Sequence, residues 1–349
     1  MIQYNHKFEE EKTLKNPLLS WLYTIFLLIL SIILVGGITR LTNSGLSIVE
    51  WRPVFGFLPP LNSLEWDRIF LLYQKTPEFI YHNNQMDLSS FKKIFFWEYL
   101  HRVLGRIIGL VIIVGGWIIY KKGLLSKKDN IRTLVIGLLV VLQGVMGWYM
   151  VKSGLVSRPD VSHLRLSAHL GLALLLLQIV FWWILDIIVP KFKNKVSTRF
   201  LLIAKVILGV TSLQIIYGAF MAGLKAGFAF NTFPTMGGFI VPPSLFILEP
   251  VFRNFIENPI MIQFLHRGLA WILVIGVIAF HLKARKNKEL SSQQQLAIFS
   301  LRITTMIQFL LGILTLIYVV PLHLALLHQI GGVLMLSSAV FTVHVFQSK

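Results

Sequence analysis

The sequence predicts an all-α polytopic membrane protein: eight transmembrane helices in two parallel-repeat four-helix bundles, with both termini on the cytoplasmic side. Three observations lead there. Of 349 residues, 55% are hydrophobic and only 14% charged, with mean hydropathy +0.71, a composition outside the soluble range. Eight apolar runs, at 17–39, 94–120, 132–151, 166–189, 200–223, 260–282, 297–320 and 322–346, each approach the ~20 residues a bilayer requires. Motifs in the first four runs return in the last four.

Taken in order, residues 1–16 form a tail. Its Glu9-Glu10-Glu11-Lys12 stretch is too acidic for a mitochondrial transit peptide, and the run after it is too long for a signal-peptide core. Residues 17–189 make the N-terminal repeat and 200–346 the C-terminal one. The net charge of +18 does not point to nucleic acid, because the basic residues fall in alternate short loops. Lys121, Lys122, Lys127, Lys128 and Arg132 follow the second run. Lys191, Lys193, Lys195 and Arg199 follow the fourth, and Lys283, Arg285, Lys286 and Lys288 follow the sixth. The positive-inside rule puts these loops in the cytoplasm. The two long outer loops, about 40–93 and 224–259, are rich in Pro, Gly and aromatics. Trp51-Arg52-Pro53, Pro59-Pro60, Asn231-Thr232-Phe233-Pro234 and Pro242-Pro243 are examples, and they predict ordered caps. Only Pro321 separates the seventh and eighth runs.

Glu98-Tyr99-Leu100-His101-Arg102 in the second run aligns with Gln263-Phe264-Leu265-His266-Arg267 in the sixth. Ala168-His169-Leu170-Gly171 in the fourth aligns with Leu327-His328-Gln329-Ile330-Gly331 in the eighth. Gln143 to Gly147 has a weaker echo in Gln308 to Gly312. A unit of four helices returns the chain to its starting side, so the repeats are parallel.

His101, His169, His266 and His328 each lie within about two turns of the start of an even-numbered helix. They therefore share one depth near the outer face. His101 facing His169, and His266 facing His328, would make bis-imidazole haem sites in bundle cores. The residues four positions on, Gly105, Ala173, Ala270 and Gly332, are all small and would give a porphyrin a flat wall. The bland alternatives are small residues serving helix packing and histidines that bond a neighbouring helix. Zinc fits less well, because no further histidine or carboxylate completes a set of four. With no cysteine, disulfides, thiolate haem ligation and cysteine-held clusters are excluded. His281 and His344 are expected to snorkel at cytoplasmic helix ends. His6 falls in the tail and His82 in an outer loop. His163 and His323 read as interfacial, with a proton or propionate role as the alternative.

The repeat breaks at one position: Glu98 corresponds to Gln263. Only Glu can change protonation or stabilise a cation, so the halves divide into chemistry in the first and electron transfer in the second. The alternative is that Glu98 is only the i,i+4 ion-pair partner of Arg102. Arg102 and Arg267 follow their histidines and are candidate haem-propionate contacts. A bis-histidine b-type cytochrome that only passes electrons leaves the Glu98/Gln263 difference unused. A repeat-built transporter predicts polar sites near the midplane, whereas these histidines cluster near one face.

The chain resembles the haem A synthase family. The stretches that carry the resemblance are Gly37 to Ser47 (GITRLTNSGLS), Glu98 to Arg106, Gln143 to Leu155, Arg165 to Ala173, Gly218 to Pro234, Phe264 to Arg267 and His328-Gln329. The resemblance implies oxidation of the C8 methyl group of haem O to a formyl group by successive hydroxylations, giving haem A for terminal oxidases. It implies a haem b on His266 and His328, the substrate haem O between His101 and His169, and Glu98 as the catalytic residue. One branch carries a cysteine pair in the first outer loop. Its absence here places the chain with the alphaproteobacterial and mitochondrial branch. The implied setting is a bacterial cell membrane in preference to a mitochondrial one. The candidate partners are a haem O synthase, an electron acceptor or donor, and a second copy of the chain, with no nucleic acid.

Overall fold

The computed structural model describes residues 2–52, 56–156, 159–190 and 198–347, with the backbone alone for 2–16 and Val156. Pro53 of the first outer loop and Lys191, Lys193 and Lys195 of the basic loop lie outside the described residues, as do the side chains of His6 and of the acidic tail. Among the described residues there are eleven α-helices and no strand. They are α1 (Ile2–Leu41), α2 (Ser63–Gln74), α3 (Pro77–His82), α4 (Leu88–Lys121), α5 (Lys127–Val156), α6 (His163–Ile188), α7 (Thr198–Gly223), α8 (Asn254–Glu257), α9 (Pro259–Arg285), α10 (Ser292–Ile317) and α11 (Leu322–Phe346). Eight of them, α1 from Pro17 on, α4 to α7 and α9 to α11, are long and apolar enough to cross a membrane. The chain is a multi-pass membrane protein. Exposed Leu134, Leu138 and Val141 on α5, and Leu110, Ile113 and Trp117 on α4, form the apolar outer surface that lipid requires.

Local chemistry sets the helix starts. Asp87 caps α4 by accepting from Ser90 N at 2.8 Å. Asn258 caps α9, with Pro259 at the first helical position. Ser291 and Gln294 form a reciprocal capping box that starts α10. That box puts the start of α10 five residues before the apolar run at 297. The helix ends at Ile317, short of the expected 320, and a turn with Val319 and Val320 in the left-handed region (φ 60° and 57°) leads into α11.

The chain divides into two compact units, Met1–Ile188 and Val189–Lys349. In the first, α1 packs on α4 and α6, and α5 packs on α4 and α6, closing a ring of four. In the second, α7 packs on α9 and α11, and α10 packs on α9 and α11, closing the same ring. Glycine sets one of these contacts. A Cβ on Gly115 of α4 would collide with Trp21 Nε1, so the indole rests on bare backbone. It donates to the carbonyl of Val111, one turn before that glycine, at 3.0 Å.

The first outer loop is ordered around an aromatic cluster of Tyr73, Phe91 and Phe95, with Trp66, Phe70 and Phe79 against it. This cluster explains a difference from the sequence reading. The polar segment Leu88-Ser89-Ser90-Phe91-Lys92-Lys93 is helical, because Phe91 is buried against Tyr73. His101 therefore lies thirteen residues after Leu88, not within two turns of the helix start. His169, His266 and His328 lie six, seven and six residues into their helices. The extra turns of α4 form the base of the loop. His344 also departs from expectation. It is 4% exposed and does not snorkel, because the end of α11 is packed in. Gln294 Nε2 bonds Val345 O, and Phe346 stacks on Phe200. His281 is half-buried and lies 2.9 Å from Arg302 Nη1.

Candidate functional site

Each unit brings one pair of histidines face to face. The ring centres of His101 (α4) and His169 (α6) are 6.4 Å apart, and those of His266 (α9) and His328 (α11) are also 6.4 Å apart. Interplanar angles are 60° and 78°. The four rings are seated alike. A Cβ placed on Gly36 of α1 would stand 3.0 Å from His101 Cε1. On Gly147 of α5 it would stand 3.2 Å from His169 Cε1, on Gly218 of α7 3.3 Å from His266 Cε1, and on Gly312 of α10 3.0 Å from His328 Cε1. Every ring thus lies on the bare backbone of the helix preceding its own spanning helix. In each ring Nδ1 is buried, and it is the nitrogen nearer the glycine. Nε2 is left for the partner histidine's side.

The sequence reading singled out the small residues one turn past each histidine. Two of them lie against a neighbouring helix. Gly105 faces Ile32 of α1 at 3.6 Å, and Gly332 faces the Gln308 amide at 3.4 Å. A Cβ at either would make ordinary van der Waals contact there. The bare backbone under the imidazoles comes instead from Gly36, Gly147, Gly218 and Gly312, which the reading missed as seats. The spacing Gln143 to Gly147 and Gln308 to Gly312 was the available signal. Ala173 is buried and Ala270 half-buried, one turn along from their histidines.

Glu98 is 3% exposed and fully bonded. Its Oε2 accepts from Ser47 Oγ at 2.7 Å and Ile48 N at 2.8 Å. Its Oε1 accepts from Arg102 Nη2 at 2.6 Å and Nε at 3.1 Å. These four donors fill the lone-pair sites of a carboxylate. Arg102 goes on to the loop, donating to Ile48 O at 2.9 Å and Glu50 O at 3.2 Å, and lies over the Trp51 ring at 5.3 Å. The same loop is tied down twice more. Leu46 wedges against Gly154 of α5, where a Cβ would stand 2.6 Å away. The Arg68 guanidinium, bidentate on Glu50 at 2.9 and 3.0 Å, holds that carboxyl below its usual range.

The second unit builds the same clamp with the polarity reversed. Gln263, 0% exposed, donates from Nε2 to Ala226 O at 3.1 Å and Phe230 O at 3.2 Å. Arg267 donates to Phe230 O, Thr232 O and Thr235 O. The first loop offers donors to a carboxylate, whereas the second offers carbonyls to an amide. Neither arginine is idle at the surface, and each is the fastener of its loop. His163 and His323 are the first and second residues of α6 and α11, outside the two pairs. His82 lies 3.7 Å from Asp160. Among the described residues no three His, Asp or Glu converge as a metal-binding group.

Fold and site together define a membrane-embedded helical protein with one facing histidine pair in each of its two units. Residues 19–340 match the COX15-CtaA family, described as cytochrome oxidase assembly protein, and the chain belongs to that family. It is 43% identical over 341 residues to a protein named heme A synthase from Nitrosospira multiformis, covering 97% of this chain and 96% of that one. It is 43% identical to one so named from Pelagibacter ubique (91% and 93% covered) and 42% to one from Flavobacterium psychrophilum (93% and 97%).

Proposed function

We propose that the chain is a haem A synthase, an oxidoreductase that converts a methyl substituent of haem O to a formyl group and so supplies haem A to terminal oxidases. One observation carries the reading: two histidine pairs of the same spacing and seating differ at one charged position, Glu98 against Gln263. The donor set fits a haem. Two metal–imidazole bonds of roughly 2 Å, plus roughly 1.2 Å from each nitrogen to its ring centre, require about 6.4 Å between centres. Both pairs have this separation. With each Nδ1 buried on the side of its glycine seat, Nε2 would be the ligating atom.

In this reading His266 and His328 hold a resident haem b, which supplies one-electron redox chemistry when bound. His101 and His169 take the substrate haem O. Methyl to formyl removes four electrons and four protons and adds one oxygen from water. Two hydroxylations and loss of one water accomplish this, and the electrons pass to an acceptor outside the chain. Glu98 is one turn from His101, and its fixed negative charge favours positive charge developing on the substrate edge. It would act as water's proton acceptor only by giving up a bond to the loop, since four donors already occupy it. The Glu98–Arg102 clamp holds residues 47–51 one turn from His101. Arg267 Nε, buried and without a hydrogen-bond partner among the described residues, is a donor left for a propionate. Among the described residues Arg102 uses four of its five N–H groups. The basic residues at the helix ends away from the histidines support a bacterial cell membrane as the setting, with both termini on the cytoplasmic side.

Extracting pigments from the purified protein tests the assignment. Haem O or haem A beside haem b is the expected result. Haem b alone would overturn it in favour of a cytochrome that only passes electrons. A second test addresses the seats. Gly36→Leu and Gly312→Leu should each cost one low-spin haem, because the added side chain occupies the ring's place. Normal haem content in both would show that the glycines serve helix packing alone.

A further inference from the structure

Helix α10 carries one charged side chain along its 26 residues, Arg302. It stands ten residues after Ser292, about 15 Å into the span by helical rise. A guanidinium stays charged at that depth, and a charge inside a membrane helix is costly unless something answers it. Its hydrogen-bond partner is His281 of α9, whose Nε2 lies 2.9 Å from Arg302 Nη1. A guanidinium only donates, so this ring nitrogen accepts and the imidazole is neutral. His281 therefore fixes the guanidinium without balancing its charge. No carboxylate pairs with Arg302 among the described residues. Arg132, near the end of the first unit away from its histidines, meets both Asp186 and Asp129.

The surroundings say where an answering charge would come from. The guanidinium carbon is 5.1 Å from the centre of the Phe299 ring, three residues back. The side chain thus leans toward the start of α10, as helix side chains do. Its Nε and Nη2 have no protein partner and are not buried, so they open onto the outside of the bundle. Arg285 is exposed one turn past His281 on the same face of α9. The surface around these groups is apolar, with Phe299 and Ile303 of α10 and Ile278 of α9 all exposed.

We propose that Arg302, His281 and Arg285 bind the phosphate of an anionic phospholipid, seated between α9 and α10 at the end of the second unit away from His266 and His328. A guanidinium fork matches two phosphate oxygens, and basic pockets between membrane helices take anionic headgroups. His281 holds Nη1 and leaves the Nε and Nη2 edge for the phosphate. The exposed Phe299, Ile303 and Ile278 give an acyl chain its wall, which a free phosphate would leave uncovered. A zwitterionic lipid brings its own ammonium and leaves the site's positive charge unbalanced. Neither haem assignment enters this argument.

The experiment uses the full chain in detergent, stripped of lipid and titrated with phosphatidylglycerol, with bound lipid counted by native mass spectrometry. One tightly held lipid is expected. Arg302→Gln should weaken it by roughly 10–100-fold, the worth of one or two charge-assisted hydrogen bonds. Phosphatidylcholine with the same chains should bind weakly, and equally to both proteins. Arg285→Gln should weaken phosphatidylglycerol by a smaller factor. It decides the matter if Arg302→Gln fails to fold, with unchanged affinity overturning the proposal. Lys121→Gln, at the end of the first unit away from its histidines, should change nothing. Equal affinity of the wild type and Arg302→Gln for phosphatidylglycerol overturns the proposal. So does an equal loss in Lys121→Gln, which would mark general attraction to a basic surface. Displacement of the lipid by millimolar inorganic phosphate would show a free-anion site and overturn the lipid assignment.

Discussion

Glu98→Gln is expected to lower haem A yield by roughly 10²–10³-fold, the loss typical when one preorganised electrostatic contact is removed. Haem should stay in both sites, with haem O or a partly oxidised haem accumulating. From the sequence, the swap only makes the first half resemble the second and leaves packing intact. The structure corrects that expectation. The loop around Ser47 and Ile48 presents an O–H and an N–H to residue 98, whereas the loop facing Gln263 presents carbonyls. A carboxamide in the first loop keeps its oxygen on Arg102 and turns its NH₂ toward Ser47, whose hydroxyl rotates to accept. Ile48 N–H then loses its acceptor, at a cost of about 1–3 kcal/mol. Some loosening of residues 44–52 should therefore accompany the loss of activity, read as faster amide exchange there. Pigment composition per mole of protein, measured alongside activity, separates chemistry from structure. If haem content falls in step with activity, Glu98 is chiefly the loop's anchor. Undiminished haem A would end the claim that this carboxylate carries the reaction.

The second expectation concerns the other unit. His266→Ala and His328→Ala should each remove the resident low-spin haem and leave the first pair able to bind one. The loss should be near complete, because the opposite imidazole cannot ligate both faces. The first unit should survive, since His101 and His169 are seated on Gly36 and Gly147, both within Met1–Ile188. A full low-spin spectrum in either variant would show the pairing to be wrong. Loss of both haems would show that the first site depends on the second.

Much of this was legible in the residues. Apolar run length located all eight spans, because a bilayer admits few alternatives. The histidines were legible because their motifs recur, Leu100-His101-Arg102 in Leu265-His266-Arg267 and His169 before Gly171 in His328 before Gly331. What escaped detection depends on contacts across the chain. Glu98 meets Ser47 and Ile48 from about fifty positions away, and nothing local to either segment announces it. The first turns of α4 are polar in sequence, and only the buried Phe91 and Phe95 against Tyr73 make them helix. The glycine seats were hidden for another reason. Glycine on a membrane helix is common, and which face it presents depends on the neighbouring helix. The start of α10 was legible in principle, since Ser291-Ser292-Gln293-Gln294 is a capping-box pattern.

The cross-seating of the histidines also fixes an order of assembly during synthesis. His101 rides on α4 but rests on α1, and His169 rides on α6 but rests on α5. Neither helix hairpin alone contains a finished pair. The first pair is complete once the ribosome has passed α6. The second must wait for α11, more than 150 residues later. At bacterial elongation rates of roughly 5–20 residues per second this is a lag on the order of 10–30 s. During it the nascent chain holds one closed histidine pair and one still being built.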